Sequence, residues 1–126
     1  MRIIVFTCII IVSIIALGSI SINILENNTK ILGDLITKIE DEIKHERWEE
    51  VVKIEKQLKN QWKKYEKTWP MLIDHTDVDK VNTYLSELEI FIAKKDETMA
   101  ASKLAVLKLL MKNIPEKEYV TLQNIF

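Results

Sequence analysis

An apolar run near the N-terminus constrains the fold of this chain more than any other feature. Ile3 to Ile22, IIVFTCIIIVSIIALGSISI, form 20 residues without a charged side chain. A helix needs roughly 20 such residues to cross the hydrocarbon core of a bilayer. The run therefore predicts an N-terminal transmembrane anchor over residues 1–25, followed by a helical domain over residues 26–126.

A cleaved signal peptide is the alternative to a retained anchor. Ala16-Leu17-Gly18 places small residues where a signal peptidase cuts, and cleavage near Gly18 would release the body as a secreted protein. The apolar run continues past Gly18 to Leu25, beyond the roughly 7–15 residues that are usual in a signal peptide. This length favours a retained, single-pass anchor.

The charges that flank the run predict its orientation in the cell membrane. Arg2 and the amino terminus are positive on one side, whereas Glu26 and Lys30 cancel on the other. Positive flanks stay in the cytoplasm. We therefore expect a cytoplasmic N-terminus and an extracytoplasmic body.

The composition of the remainder favours an all-α body. Only two Gly and two Pro occur, and β-hairpins need such turn residues. The single cysteine, Cys8, lies inside the apolar run, so neither a disulfide framework nor a cysteine-based zinc site is expected. Lys and Glu are intermingled at a formal net charge of -1, so no basic surface points to nucleic acid as a partner.

Apolar residues recur at helical spacing beyond Asn28, and their phase shows where helices end. The stripe on 29–44 jumps by one position, roughly 100° of helix rotation, before the next stripe begins at Trp48. A second jump falls across Lys94–Glu97. Since one straight helix cannot bury both faces, the phase predicts four segments, near 29–44, 47–69, 77–94 and 97–113.

These segments predict two αα-hairpins packed as a small antiparallel four-segment bundle. The alternative is one long antiparallel two-helix coiled coil, with helices over 29–69 and 77–113, because no Gly or Pro marks either jump. Asn27-Asn28-Thr29 is interpreted as the cap that starts the first helix of the body. Pro115 is expected to end the last one, because proline cannot donate to the helical hydrogen-bond ladder.

Three tryptophans, Trp48, Trp62 and Trp69, are separated by multiples of seven residues and share one helical face. This spacing is more typical of a core than of a ligand platform. Trp69 precedes Pro70, where the helix should end or kink, and is expected to be the most exposed of the three.

The corner that follows, TWPMLIDHTDVD over 68–79, concentrates polar groups. Thr76 and Asp79 match a capping box, and Asp77 meets the positive end of the helix dipole. Asp74 and His75 are expected to tie the corner together by hydrogen bonds, with His75 adding some pH sensitivity.

A metal-binding or catalytic role for this corner is the alternative to the structural interpretation. Asp74, His75 and Asp77 are the only metal-ligand candidates, the alternative being a pair of His75 with His45 across the bundle. No metalloprotease or EF-hand pattern is present, and no local motif marks a nucleophile. We therefore expect no metal, no cofactor, no small-molecule substrate and no enzymatic activity.

The C-terminal segment is unusually apolar for a chain end. Leu122, Ile125 and Phe126 are expected to dock on an open groove of the bundle, the alternative being presentation to a partner.

Together these pieces resemble an uncharacterised family of small, N-terminally anchored proteins from spore-forming bacteria, catalogued as a domain of unknown function. The resemblance rests on the apolar run, Arg47-Trp48-Glu49-Glu50-Val51, Trp62, the Asp74-His75 corner and the terminal Leu122-Gln123-Asn124-Ile125-Phe126. It implies no activity or cofactor. It does imply a multi-spanning membrane protein as a natural companion.

The sequence therefore predicts a membrane-tethered helical interaction module that binds or supports another membrane protein. The alternative is an extracytoplasmic sensor or ion-binding domain that uses the Asp74-His75 corner.

Overall fold

A computed structural model describes residues 1–125 as a bundle of α-helices joined by short connections. The described elements are α1 (Arg2–Lys44), α2 (Trp48–Glu66), a 3-10 turn (Trp69–Met71), α3 (His75–Ala93) and α4 (Glu97–Ile125). The predicted four-segment helical bundle is confirmed. The two-helix coiled coil is wrong, because the chain reverses at both phase jumps and not only near Pro70.

The connections at the two phase jumps have the same backbone geometry. After α1, Arg47 N–H donates to Glu42 O at 3.0 Å and Glu46 N–H to Ile43 O at 3.0 Å. After α3, Asp96 N–H donates to Phe91 O at 2.9 Å and Lys95 N–H to Ile92 O at 3.0 Å. This pair of bonds is the Schellman motif, which satisfies carbonyls that a helix end would leave unpaired.

The Schellman motif requires one residue in the left-handed region, usually Gly. Here the position is filled by Glu46, with φ 56°, and by Lys95, with φ 53°. A side chain there clashes with the following carbonyl and costs about 1 kcal/mol. The missing glycine is why the sequence marked these turns only through the phase of the apolar stripes.

Helix α1 is continuous from Arg2 to Lys44, so the expected helix start at Asn27–Thr29 is wrong. Thr29 Oγ1 donates back to Leu25 O at 2.8 Å. This bond satisfies the threonine hydroxyl within the helix, so it does not cap a new one.

Helix α4 continues through Pro115 to Ile125, so the expected stop at Pro115 is wrong. The proline removes one backbone hydrogen bond. Met111 and Ile114 before it are buried, and Leu122 after it falls on the same helical face and packs against α1. Tertiary packing on both sides of the proline thus outweighs the lost bond.

The core of the bundle is built on the second half of α1. The buried apolar residues of α1 begin at Leu25 and end at Ile43, and this stripe packs against both α2 and α4. Helix α3 packs chiefly on α4. The contact of Lys108 Nζ with Glu40 at 3.2 Å and that of Leu122 with Gly18 show that α4 runs antiparallel to α1.

The seam between α2 and α3 is polar and less extensive than the others. Trp62 Nε1–H donates to Asn82 Oδ1 at 2.7 Å, and Lys59 Nζ lies 2.8 Å from Glu89 Oε2. Glu55 is buried at this side of α2, and burial raises the pKa of its carboxyl, while the Lys59 ammonium opposes that shift. The α2–α3 seam is therefore held by a few directed bonds.

The left-handed turn residues give a stability prediction. Lys95→Gly should stabilise the chain by about 0.5 kcal/mol, because glycine removes the left-handed strain at a small entropic cost. Thermal unfolding of the full chain in detergent micelles, followed by circular dichroism, measures this gain.

The neighbouring residue provides the matched control. Lys94 has φ -84°, so Lys94→Gly has no strain to relieve and should lower stability by about 0.5–1 kcal/mol. Equal destabilisation by both substitutions would contradict the assignment of the turn.

Candidate functional site

The candidate site is the base of the bundle, meaning the end from which the apolar run of α1 leaves it. The base comprises the α2–α3 connection (67–74), the first turn of α3 and the part of α4 from Pro115 to Ile125. An 18-residue window of α1 has a mean hydropathy of 2.9, and none of it is buried. By length and composition this helix is able to cross a membrane. The α2–α3 connection thus lies at the end of the bundle from which the apolar part of α1 extends.

Trp69 is the buried centre of the base, with 0% of its surface exposed. Its ring meets Trp62 edge-on, with centroids 5.0 Å apart, and stacks on Tyr65 at 6.3 Å. The expectation that Trp69 would be the most exposed tryptophan is wrong. The 3-10 turn at Pro70 folds Trp69 back under α2, while Trp48 at the start of α2 remains only partly buried.

A buried asparagine of α1 fixes the position of Trp69. With the Asn28 amide oriented to pair both of its atoms, Asn28 Oδ1 accepts from Trp69 Nε1 at 3.1 Å and Asn28 Nδ2 donates to Ile24 O at 3.3 Å. The sequence interpretation of Asn28 as a cap missed this role. Extending the α1 stripe backwards from Leu32 by four residues would have marked Asn28 as buried.

The corner after the 3-10 turn is closed by Asp74, the N-cap of α3. Asp74 Oδ1 accepts from Thr76 N–H at 3.0 Å, and this bond is the main reason that its pKa is lowered. The predicted capping box at Thr76 and Asp79 is wrong by two residues. Aspartate is at least as good an N-cap as threonine. Asp74 has the extended backbone of an N-cap residue, so it caps α3 in place of Thr76.

Asp77, in the first turn of α3, reaches across to α4. Its side chain is only 9% exposed, and Asp77 Oδ2 lies 3.1 Å from Lys117 Nζ. The hydrogen bond to Asp77 raises the pKa of Lys117. This ion pair joins the first turn of α3 to the last turns of α4.

The metal-ligand candidates do not gather into one cluster. Asp74 is used as a cap, Asp77 faces Lys117, and His75 is exposed as the first residue of α3. His45 lies at the other end of α2, whose 19 residues span about 28 Å. Among residues 1–125 no group of three His, Cys, Asp or Glu side chains is placed to hold a metal ion.

The last turns of α4 dock against the apolar run of α1. A Cβ added at Gly18 would lie 2.8 Å from Leu122 Cδ1, so the leucine fills the space that glycine leaves. The cleft beside this contact is lined by Ile22, Leu25, Leu72 and Glu118, among others. The expected docking of Leu122 is thus seen, whereas the Ile125 side chain and Phe126 lie outside the described part of the structure.

Comparison with known families finds one whose members resemble this chain. The family catalogued as Domain of unknown function (DUF4363) matches residues 19–125. The chain belongs to this family. The expected membership of an uncharacterised family is therefore confirmed.

The matched region begins inside the apolar run of α1 and takes in the whole bundle, including its base. No curated protein and no solved structure matches the chain.

The Asp74 cap gives a pH-dependent prediction. Asp74→Ala should lower the midpoint of thermal unfolding at neutral pH. Asp74→Asn should lower this midpoint less, because asparagine also accepts the hydrogen bond from Thr76. Since the pKa of Asp74 is lowered from its ordinary value of 3.8, the advantage of wild type over Asp74→Asn is present above that value and disappears as pH falls through the lowered pKa.

Unfolding midpoints at neutral pH and about pH 3 measure this difference. Asp79→Asn, which changes another exposed aspartate near the start of α3, is the control and should change the midpoint little at either pH. A difference between wild type and Asp74→Asn that persists unchanged at the lower pH would refute the charged cap.

Proposed function

We propose that the protein is a membrane-tethered helical interaction module that binds or supports another membrane protein on the outer face of the cell membrane. The observation that carries this proposal is the division of α1 into a bare apolar half and a half that forms the core of the bundle. In this proposal the same helix is both the anchor and the spine of the module.

The bare half of α1 needs a cover. Side chains of the apolar run from Ile3 to Ile15 are exposed, and such a continuous surface is unfavourable in water. A bilayer covers a helix of this length and composition at no cost in unpaired backbone groups, because all of them bond within the helix. This supports an anchor in the membrane.

The packing of α4 supports retention of the anchor over cleavage near Gly18. Cleavage there would remove the glycine against which Leu122 is seated. It would also cut α1 inside a continuous helix, next to the cleft that Ile22 and Leu25 share with α4. A retained helix keeps this contact intact.

The continuity of α1 bears on the choice of partner. A body joined to its anchor by a helix, without a flexible linker, keeps a fixed distance and orientation to the bilayer. A partner in the same membrane then meets the same face at each encounter, which raises the effective concentration of the two surfaces. With 17 basic residues beyond Arg2 against 19 acidic ones, the body has no strong charge to hold it flat on anionic lipid.

The orientation follows from the flanking charges. Arg2 and the amino terminus keep one end of α1 in the cytoplasm, so the body is extracytoplasmic. The alternative function, a sensor or ion-binding domain at the Asp74-His75 corner, stays a prediction. Asp74 already serves as a helix cap, which gives the interaction role the better support.

Labelling in intact cells tests the topology. In a Cys8→Ser background, a cysteine introduced as Lys112→Cys, an exposed position of α4, should react with an impermeant thiol reagent. A cysteine inserted between Met1 and Arg2 keeps the positive flank; it is the control and should react only after the cells are opened. The reverse pattern would mean that the body is cytoplasmic.

Photo-crosslinking in intact membranes tests the partner. A photoreactive amino acid replaces Val52 on α2, Ile90 on α3 or Leu109 on α4, each of which is an exposed apolar residue. We expect a discrete adduct with one membrane protein from the position that faces the partner, and no adduct from a position on the opposite side of the bundle. Adducts that are irreproducible at all three positions, from a chain that stays monomeric, would refute the interaction role.

A further inference from the structure

The charge-free parts of α1 and α4 lie side by side at the base of the bundle. Glu26 is the first charged residue of α1 after Arg2, and Glu118 is the last charged side chain of α4. Glu26 lines one cleft with Glu116 and Tyr119. Since the two helices run antiparallel and Leu122 meets Gly18, Glu118 lies beside Ile22. The charged side chains of the two helices therefore stop within about one helical turn of each other.

Helix geometry gives the depth of α4 below that level. Ile22 lies about 6 Å below Glu26 along α1, which is close to the thickness of the polar zone on each side of the hydrocarbon core. Gly18, the contact of Leu122, lies about 6 Å further down. With the 20-residue run filling the hydrocarbon core, Ile22 marks the outer edge of the core. Leu122, at the level of Gly18, then lies about 6 Å inside the core, and Tyr119, three residues earlier on α4, lies near the edge.

The composition of this part of α4 suits that depth. Residues 119–125, YVTLQNI, contain aromatic, aliphatic and uncharged polar side chains, and Tyr is enriched at the level of lipid headgroups. Tyr119 and Val120 are 50% and 52% exposed, so the bundle leaves them free to contact lipid.

The 3-10 turn approaches the same level from another side of α1. Leu72 shares the cleft of Ile22 and Leu25, and the neighbouring Met71 is 79% exposed. An exposed methionine is unremarkable when isolated. Here it stands next to the apolar run of α1, so its apolar surface continues that of the anchor.

We propose that the base of the bundle is a second lipid-binding surface, with Met71, Tyr119, Val120 and Leu122 seated at the outer boundary of the hydrocarbon core beside α1. This inference rests on the membrane anchor of the proposed function and adds a second contact to it. The second contact restricts the tilt of α1 in the bilayer, and with it the tilt of the bundle.

Fluorescence quenching in reconstituted vesicles tests this surface. The full chain carrying Cys8→Ser and Val120→Cys is labelled with a small fluorophore and placed in phosphatidylcholine–phosphatidylglycerol vesicles that contain nitroxide-labelled phosphatidylcholine. Leu109→Cys, 56% exposed on the same helix, is the matched control. The label at Val120 should lose most of its fluorescence, whereas the label at Leu109 should lose little.

A third label separates failure of this inference from failure of the anchor. The native Cys8, in the middle of the apolar run, should be quenched most by nitroxides deep in the acyl chains. Quenching at Cys8 with none at Val120 overturns the lipid surface alone and leaves the base for a protein partner. No quenching at Cys8 overturns the anchor itself. Tyr119→Cys provides a second labelled position, and circular dichroism confirms that each variant is folded.

Discussion

The apolar stripe of α1 between Leu25 and Ile43 is the surface on which both hairpins of the bundle meet. Helix α2 packs on one side of it and α4 on the other, and each contact removes apolar side chains from water. The seam between α2 and α3 is held by a few polar bonds, such as that of Trp62 with Asn82. The two hairpins therefore depend on α1 to hold them together.

The base of the bundle is connected to α1 and α4 by directed contacts. Asn28 holds Trp69, the Asp77–Lys117 pair links α3 to α4, and Leu122 occupies the space beside Gly18. A hydrogen-bonded indole and a seated leucine restrict sliding between helices more than nonspecific apolar contact does. The α2–α3 connection is consequently held at a defined level along α1, which gives the proposed lipid surface its geometry.

Much of the helix layout follows from local chemistry. The phase of the apolar stripes predicted the turns at Glu46 and Lys95, because a helix buries only one face. The N-cap of α3 was two residues from the predicted one, because Asp74 and Thr76 have similar capping preferences and only the backbone geometry separates them. The burial of Trp69 was missed because its partner, Asn28, lies on another helix.

The sequence by itself determined that this chain is helical, where its helices turn, and that its N-terminal run is long and apolar enough to cross a membrane. These properties depend on spacing and side-chain type within each segment. Only the tertiary structure decided that α4 passes through Pro115, that Trp69 is buried and that the charge-free end of α4 lies level with the apolar run of α1. Each of these depends on contact between residues far apart in the chain, where packing outweighs local preference.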